Sequence, residues 1–433
     1  MFYAGKGKSM KDSIRLTEDV PVRGSYDVIV AGGGVAGVAA ALSVRRRGRR
    51  VLLLEKADIL GGLATLGLVN LFVAMDNGRG KQVIFGMAEE LLRTSIRYGY
   101  DNLNPNFVDG VNIDPEDKRR YATHFDPYIF ALQLNKMCRD EGVDVLLDCL
   151  ATKPVMEGNT CRGVVVETVS GREYIACRVL IDTTGSADML RRSGVPTVES
   201  NRYCYFYPAK IDFDDCRKAL ERNSLLNLIK DIRVDPEGIS GSGRKPRDVP
   251  MWNGTRIEDV NDYLTRMQLK TLEMIKDQDR NSRIIARMPL MPQFITICHI
   301  DGDATFTAKD VYRHFEDSVC AVNNFDVRDE LYEVPYRCLY RTGWPNILTA
   351  GRCVAAEGEG WDVLRVIPPA ILTGQAAGEA AVLALEEEKA VSDISIDLLQ
   401  KRLEEGRVMI HFPDEWVPED RSTSEAAVTE TKS

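Results

Sequence analysis

The stretch Tyr26-Asp-Val-Ile-Val-Ala-Gly-Gly-Gly-Val-Ala-Gly37 decides the fold of this 433-residue chain. Its first half is a short, β-branched apolar run, which is typical of a buried parallel strand. The glycines follow directly, and the alanine-rich segment Val38 to Arg46 predicts a helix that stops at Gly48. Val51 to Leu54 is a second apolar strand, so this region predicts a β-α-β unit of about thirty residues.

The glycines Gly32, Gly34 and Gly37 have the spacing G-x-G-x-x-G between a strand and a helix. The first permits a tight turn, the second admits a pyrophosphate without a Cβ clash, and the third lets the helix pack closely. The helix N-terminus then offers free N–H groups to phosphates. Glu55 ends the second strand, where a carboxylate accepts hydrogen bonds from ribose hydroxyls. Together these features predict a dinucleotide site rather than a glycine-rich turn without a ligand.

The composition is that of an acidic globular protein. Hydrophobic residues make up 44% and the formal net charge is −9, which allows a large core and argues against a nucleic-acid partner, because phosphate binding needs a basic face. No run of about 20 apolar residues indicates a membrane span. The polar start lacks the apolar centre of a signal peptide. We therefore expect a cytoplasmic location and no membrane partner.

The cysteines give no sign of a metal or redox site. There are ten, and none forms a C-x-x-C pair, so zinc, iron–sulfur and dithiol sites lack their usual spacing. Several lie in apolar, strand-like runs, such as Cys149, Cys177 and Cys338. We expect reduced, buried thiols and no metal.

Later segments continue the alternation of strands and helices. A hairpin is predicted from Gly163 to Val169 and from Glu173 to Cys177, followed by a separate buried strand at Val179 to Asp182. Asn346 to Ala350 predicts another strand. A long helix is expected from Thr373 to Glu388.

The middle of the chain, residues 201–332, changes character and indicates an inserted domain. Pro236 to Pro250 is rich in Gly, Ser, Pro and Arg and predicts a mobile loop. A helix is expected over Ile257 to Lys276, with Thr255 and Glu258 in the positions of a capping box.

Several stretches, taken in order, resemble one protein family. From Tyr26 onward the chain is similar to the two-dinucleotide-domain flavoproteins, the group of glutathione reductase and fumarate reductase, and within it to a family of FAD-dependent oxidoreductases. The matching stretches are Asp27–Gly37, Leu54–Lys56, Gly61–Thr65, Gly67–Asn70, Phe125–Pro127, Ile181–Gly185, Val334–Arg337, Ala350–Cys353, Arg365 and Thr373–Gly378. Their order and spacing are more specific than any single stretch.

The resemblance implies an α/β fold with a Rossmann-like FAD-binding domain, made of a parallel sheet, helices and a β-meander. An inserted α+β cap or substrate domain interrupts it. The expected division is residues 20–200 and 333–390 for the two parts of the FAD-binding domain, 201–332 for the cap, and 391–433 for a C-terminal helix and tail.

The glycine motif and the resemblance together assign a set of residues to FAD. The helix beginning near Thr373 is expected to aim its N-terminus at the flavin, which carries negative charge near N1 when reduced. The cofactor-binding set is Gly32, Gly34, Ala36, Gly37, Glu55, Lys56, Gly61, Gly62, Thr65, Thr184, Gly185, Gly351, Arg352, Gly374 and Ala376.

The chain departs from the family pattern on the expected substrate side. Ser186 stands where many relatives have aspartate, Gly358-Glu359 replaces a His-Glu pair, and Cys298-His299 replaces a paired arginine. No second G-x-G-x-x-G follows a strand. We therefore expect no built-in NAD(P)H domain, and the electron donor or acceptor is unknown.

Three residues are candidates for the chemistry. His299 could exchange a proton or bind substrate; the alternative is a partly buried strand histidine. Arg365 and Arg337 could bind a substrate carboxylate; the alternative for each is a structural ion pair. No catalytic role is predicted for the remaining histidines, His124, His314 and His411. His314 is expected to lie in a charged helix.

The leading hypothesis is an enzyme that moves a hydride between flavin N5 and a small polar molecule, a sugar or an organic acid. A second is a flavin-binding partner or tRNA-modification-like protein that uses FAD structurally. A third, an NAD-dependent dehydrogenase, requires Ala350 to Gly378 to be unrelated to the nucleotide. A homo-oligomer is left open.

Overall fold

The computed structural model describes residues 15–200, 204–226, 228–234 and 252–419. The predicted loop from Pro236 to Pro250 lies outside these ranges. The α-helices are α1 (Val35–Arg46), α2 (Gly86–Ile96), α3 (Pro127–Asp140), α4 (Asp188–Ser193), α5 (Phe213–Arg222), α6 (Ile257–Ile275), α7 (Gly358–Leu364), α8 (Ile367–Glu387) and α9 (Ile396–Glu405). The strands are β1 (Val22–Ala31), β2 (Val51–Leu54), β3 (Leu71–Phe72), β4 (Phe107–Val108), β5 (Val111–Asn112), β6 (Thr123–His124), β7 (Asp144–Leu146), β8 (Leu150–Glu157), β9 (Thr160–Thr168), β10 (Gly171–Asp182), β11 (Thr197–Glu199), β12 (Cys204–Tyr205), β13 (Ala209–Asp212), β14 (Lys230–Asp231), β15 (Arg283–Arg287), β16 (Gln293–Phe294), β17 (Cys298–Ile300), β18 (Ser318–Asn323), β19 (Leu331–Pro335) and β20 (Ile347–Thr349).

The central sheet has the strand order β7-β2-β1-β10-β9-β8, and β20 also pairs with β10. Strands β7, β2, β1, β10 and β20 are parallel to one another, whereas β9 pairs antiparallel with β10, and β8 antiparallel with β9. The order reverses around β1, and ligands bind outside the carboxyl ends of strands at such a reversal. The sheet confirms the expected α/β class and its Rossmann-like arrangement.

Strand β10 corrects the prediction of a hairpin followed by a separate strand. It runs without a break from Gly171 to Asp182, pairing with β9 along residues 171–176 and with β20 along residues 180–182. Arg178 is exposed while its neighbours are buried, so the alternation of a half-buried strand continues through the position where we expected a break.

The core places two helices directly over the sheet. The residues of β1 from Val28 to Ala31 are fully buried, and α1 and α8 pack against each other and against the strands. A Cβ at Gly378 would lie 2.5 Å from the carbonyl oxygen of Ala40, and a Cβ at Gly374 would overlap the carbonyl oxygen of Ala36. Glycines at these points allow the two helices to approach closely.

Helix α8 begins six residues before the predicted start at Thr373, at Ile367. Pro368 and Pro369 lie in its first turn, where the missing N–H groups would have no partner within the helix. The first turn therefore accommodates the prolines without breaking the helix, and Thr373 lies one and a half turns inside it.

The inserted region is built from small sheets around α6. Strand β11 pairs with β17, β12 with β16, and β13 with β14 and β15. The predicted helix is confirmed at Ile257–Ile275, but the predicted capping box is wrong: the N-cap is Arg256, without a side-chain bond. The hydroxyl oxygen of Thr255 instead lies within hydrogen-bond distance of Glu199 Oε1, at 2.9 Å, and of Asn253 Oδ1, at 2.7 Å. The β18–β19 hairpin crosses the expected domain border between 332 and 333.

The expectations about the cysteines and about a membrane span can be compared with the fold. The cysteines whose side chains are described are free thiols, and all but Cys216 are buried, as predicted. Among the described residues, no single helix has the length and apolar composition to cross a membrane; α7 and α8 have them only jointly and are bent by 80° at their junction.

Candidate active site

A cavity of about 510 Å³ lies at the carboxyl edge of the parallel strands. It is lined by the glycine motif after β1, by the end of β10 and by the segment after β20. The residues assigned to FAD or to chemistry that line it are Gly32, Gly34, Ala36, Glu55, Lys56, Gly61, Gly62, Thr184, Gly185, Gly351, Arg352 and Arg365.

The glycine loop forms a cradle at one wall of this cavity. Gly32 has a φ of +109° and a Cβ there would lie 2.5 Å from the carbonyl oxygen of Thr183, so only glycine fits without strain. A Cβ at Gly34 would meet no protein atom within 4 Å and would occupy the cavity instead. Helix α1 begins here without a side-chain cap. Backbone N–H groups and an open approach suit a pyrophosphate.

Glu55 is buried at the end of β2 and lines the cavity. Its Oε2 accepts a hydrogen bond from the N–H of Gly33 at 2.6 Å, and its Oε1 accepts one from Ala57 at 2.9 Å. The carboxylate therefore holds the glycine loop in place. Each carboxylate oxygen accepts more than one bond, so the predicted contact with a ribose is compatible with this arrangement.

The end of β10 supplies the opposite support for the glycine loop. The Thr183 hydroxyl donates to the carbonyl of Gly32 at 2.7 Å. Asp182 is fully buried, and burial raises the pKa of its carboxyl group even though backbone N–H groups of Thr184 and Leu190 donate to it. These bonds, each 2.9 Å long, fix the loop that carries Thr184 against the cavity.

The late part of the chain meets the early part at the same cavity. A Cβ at Gly351 would lie 2.9 Å from the Cβ of Ala36, and the N–H of Gly351 donates to the Thr373 hydroxyl at 3.0 Å. The start of α8 also lines the cavity, through Ile367 and Ala370. A helix N-terminus therefore does face the cavity, but it is at Ile367 and not at Thr373 as expected.

Four residues assigned to FAD lie behind the cavity wall, outside its lining. A Cβ at Gly37 would overlap the carbonyl of Gly32, which keeps α1 close to the loop. The Thr65 hydroxyl donates to the carbonyl of Leu60 at 2.7 Å. Gly374 and Ala376 are buried in α8, where Gly374 packs against α1. In this geometry, none of the four lines the cavity: Gly37 and Gly374 allow close packing behind it, Thr65 is bonded to the backbone, and Ala376 is buried in α8.

Arg352 is a mostly buried cation in the cavity wall. Its Nη1 donates to the carbonyl of Phe294 at 2.7 Å, and no carboxylate of the described residues forms an ion pair with it. Burial, together with the nearby charge of Arg365, lowers the pKa of this guanidinium to about 10, so it stays charged at neutral pH. A buried cation without a carboxylate partner favours an anionic group in the cavity.

The two other arginine candidates have different environments. Arg365 lines the cavity, and its Nε donates to Asp362 at 2.8 Å. Arg337 lies outside the lining and is held by Asp317 in a two-point ion pair, with bonds of 2.9 Å and 3.0 Å. The geometry thus favours the structural alternative for Arg337 and leaves Arg365 at the cavity.

His299 is buried behind the cavity and does not line it. Its ring packs edge-on against Trp361, with the centroids 4.6 Å apart, and its Nδ1 lies 2.6 Å from the carbonyl of Ile300. Burial lowers the pKa of the imidazole. The indole of Trp361 donates to the carbonyl of Arg352 at 3.1 Å. His299 therefore supports the residues that position Arg352.

Sequence reasoning missed the cavity wall contributed by the inserted region. This wall, here called the cap wall, is aromatic and apolar apart from one amide and two tyrosine hydroxyls. It consists of Tyr205, Tyr207, Met291, Gln293, Phe294, Ile295 and Phe325. The signal in the sequence was the run Tyr203-Cys-Tyr-Phe-Tyr207, because residues two apart on an extended chain face the same side.

Comparison with known proteins agrees with this site. A model of the family described as FAD dependent oxidoreductase matches residues 27–203 and 298–403, more than half of the chain. This chain belongs to that family. FAD is therefore the cofactor, and the expected FAD-dependent oxidoreductase is confirmed. The NAD-dependent alternative fails, since it required the segment from Ala350 to be unrelated to the nucleotide.

Two curated relatives are similar to part of this chain. The digeranylgeranylglycerophospholipid reductase of Methanoculleus marisnigri is 27% identical over 278 residues, which cover 59% of this chain and 65% of that protein. The NADH:fumarate oxidoreductase of Klebsiella pneumoniae is 25% identical over 167 residues, which cover 32% of this chain and 18% of that protein. The chain therefore matches less than two thirds of the length of each.

Two solved structures match nearly the whole chain at low sequence identity. The Mycobacterium smegmatis Sdh1 complex in the apo form is 15% identical, with a TM-score of 0.45, and the match covers 95% of this chain and 76% of that one. A geranylgeranyl bacteriochlorophyll reductase-like protein from Thermoplasma acidophilum is 13% identical, with a TM-score of 0.44, and the match covers 94% and 99%. Similarities at this level say nothing about chemistry.

Proposed function

We propose that this oxidoreductase transfers a hydride between its FAD and a carbon of a small organic acid. Flavin N5 supplies or accepts the hydride, and the protein must bind the acid, orient it and exclude water. The cap wall carries the proposal, because its aromatic and apolar side chains favour an acid with an apolar body over a sugar.

A sugar would need several hydrogen-bonding partners on that wall. Its one amide, Gln293, is buried and already used: its nitrogen donates to the carbonyl of Gly67, and its oxygen accepts from the N–H of Tyr207 at 2.9 Å. The phenylalanines Phe294 and Phe325 offer no polar atom at all. Among the described residues of this wall, the hydroxyls of Tyr205 and Tyr207 are the other polar side-chain groups. Most sugar hydroxyls would therefore lose hydrogen bonds with water that this wall does not replace.

The arginines supply the binding site for the acid group. Arg365 lines the cavity, and its bond to Asp362 uses only Nε among the five N–H donors of a guanidinium. A planar guanidinium binds a carboxylate through two parallel hydrogen bonds. The buried charge of Arg352 adds positive potential to the same cavity. The electron partner is proposed to be a separate molecule.

The test begins with the purified holoprotein and its visible flavin spectrum. Oxidised protein is mixed anaerobically with saturated acids, and photoreduced protein with cinnamate, crotonate and fumarate. The corresponding amides and glucose are run in parallel. We expect acids, and not amides or glucose, to reduce or reoxidise the flavin. Turnover with glucose alone would overturn the proposal. A flavin that responds to no compound would favour the alternative of a partner protein that uses FAD structurally.

Arg365→Gln separates acid binding from cofactor binding. We expect KM for the acid to rise about tenfold to a hundredfold, the effect of losing a charged hydrogen bond, with the flavin content unchanged. Arg266→Gln is the matched control, because Arg266 forms an exposed ion pair with Asp262 outside the cavity. An unchanged KM in Arg365→Gln would remove Arg365 from the site.

A further inference from the structure

A cluster of two histidines and one carboxylate lies away from the cavity and has no part in the proposed reaction. His314 follows a short turn before β18, Glu333 lies on β19, and His411 lies in the C-terminal segment, defined here as residues 407–418. One nitrogen or oxygen from each lies within 4.8 Å of the others. His314 is not in a helix, contrary to the sequence prediction.

Glu333 is the fixed point of the cluster. Its side chain is fully buried. Its Oε1 lies 2.5 Å from Nδ1 of His314, and its Oε2 lies 3.0 Å from Nδ1 of His411. Its Oε2 also accepts the N–H of Phe315 at 2.8 Å. Among the described residues, no lysine or arginine pairs with it. A buried carboxylate is normally paired with a cation or coordinates a metal.

We propose that His314, Glu333 and His411 bind a zinc ion that fastens the C-terminal segment to the β18–β19 hairpin. Two imidazole nitrogens and one carboxylate oxygen are a donor set that zinc accepts, with the fourth position open to water. Both histidines are partly exposed, at 40% and 47% of their side chains, so an ion can enter from solvent.

Asp414 provides a second, independent indication. Its Oδ1 lies 3.0 Å from Nε2 of His314, the ring nitrogen that does not face Glu333. Histidines that bind metals usually donate their other N–H to a carboxylate, which fixes the tautomer and the ring orientation. In the metal-bound form, Nε2–H would stay directed to Asp414, and the metal would replace the proton between Nδ1 of His314 and Glu333.

The ion would join parts of the chain that are distant in sequence. The C-terminal segment already contacts the hairpin: the N–H of Ala321 donates to the carbonyl of Met409 at 2.6 Å, and the Ser318 hydroxyl donates to the carbonyl of Ile410 at 2.7 Å. Phe412 is buried against the hairpin. Zinc bound here would stabilise the folded state by mass action.

The test uses the full FAD-loaded chain after removal of metals with a chelator. Zinc chloride is titrated by calorimetry, and thermal unfolding is followed with and without zinc. We expect one zinc per chain and a higher melting temperature with zinc. His411→Gln should weaken zinc binding at least tenfold, and Asp414→Asn by about tenfold to a hundredfold. Both residues are partly or largely exposed, so the variants should fold and keep their flavin.

His124→Gln is the control, because His124 lies outside the cluster. This variant protein should bind zinc as strongly as the wild type does. Absence of a binding heat in the wild type would overturn the proposal. So would zinc binding that is equally strong in His411→Gln, since it would then come from other surface groups.

Discussion

The two walls of the cavity are made from different parts of the polypeptide. The sheet-side wall uses the backbone: the glycine loop, the end of β10 and the first turns of α1 and α8. The cap wall uses side chains, mostly aromatic, from the inserted region. A backbone wall holds a cofactor through geometry that tolerates few changes. A side-chain wall can change its chemistry residue by residue, so substrate choice can vary while FAD binding is kept.

The largest effect is expected from a substitution that adds a single methyl group to the backbone wall. Gly34→Ala would put a Cβ into the cavity while meeting no protein atom within 4 Å. The chain should fold with an unchanged circular dichroism spectrum, yet bind FAD about tenfold more weakly or worse, because steric overlap costs about 1–3 kcal/mol. The FAD affinity of the apoprotein measures this.

Gly24→Ala is the matched control, since Gly24 also has open space around it but lies at the far end of β1, outside the cavity. It should bind FAD as the wild type does. If Gly34→Ala retained full FAD affinity, the backbone wall would not be the phosphate site.

A smaller effect is expected on the cap wall. Phe325→Ala removes aromatic surface from the cavity and should raise KM for the acid substrate by about tenfold, the scale of burying one such side chain. The flavin spectrum and FAD content should not change. Phe213→Ala, at an exposed position on α5, is the control. Loss of flavin from Phe325→Ala would show that the cap wall also holds the cofactor.

The smallest effect is expected at His299, which lies behind the cavity and contacts Trp361, the residue that bonds to Arg352. Burial lowers the pKa of this histidine in the folded protein. In the unfolded chain the same side chain has the ordinary histidine pKa of about 6.5. Its contribution to stability is therefore present above about pH 6.5 and is lost as pH falls towards the folded pKa. The loss cannot exceed about 1.4 kcal/mol per pH unit for one proton.

His299→Gln should show a shallower fall in melting temperature between about pH 7.5 and pH 5.5 than the wild type. The comparison is made across pH within each protein, so any packing lost through the substitution does not affect the slope. Equal slopes would mean that the imidazole is protonated as easily in the folded state as in the unfolded chain.

How much of the fold could be predicted from the sequence depended on how close in sequence the contacting residues are. The unit from Tyr26 to Glu55 was recognised from its own residues, because a strand, a glycine loop and a helix in this order make their contacts with one another. The segment after β20 was located through family resemblance. The resemblance did not show that Gly374 would pack against Ala36 rather than line the cavity.

The sequence by itself determined the FAD-binding architecture, the segments that form it and the class of reaction. Only the tertiary structure decided that Arg365 reaches the cavity while Arg337 is held by Asp317. It alone also brought together the cap wall and the cluster around Glu333. The physical reason is that these arrangements depend on side chains from segments far apart in sequence, whose meeting is set by the packing of the whole chain and not by any local pattern.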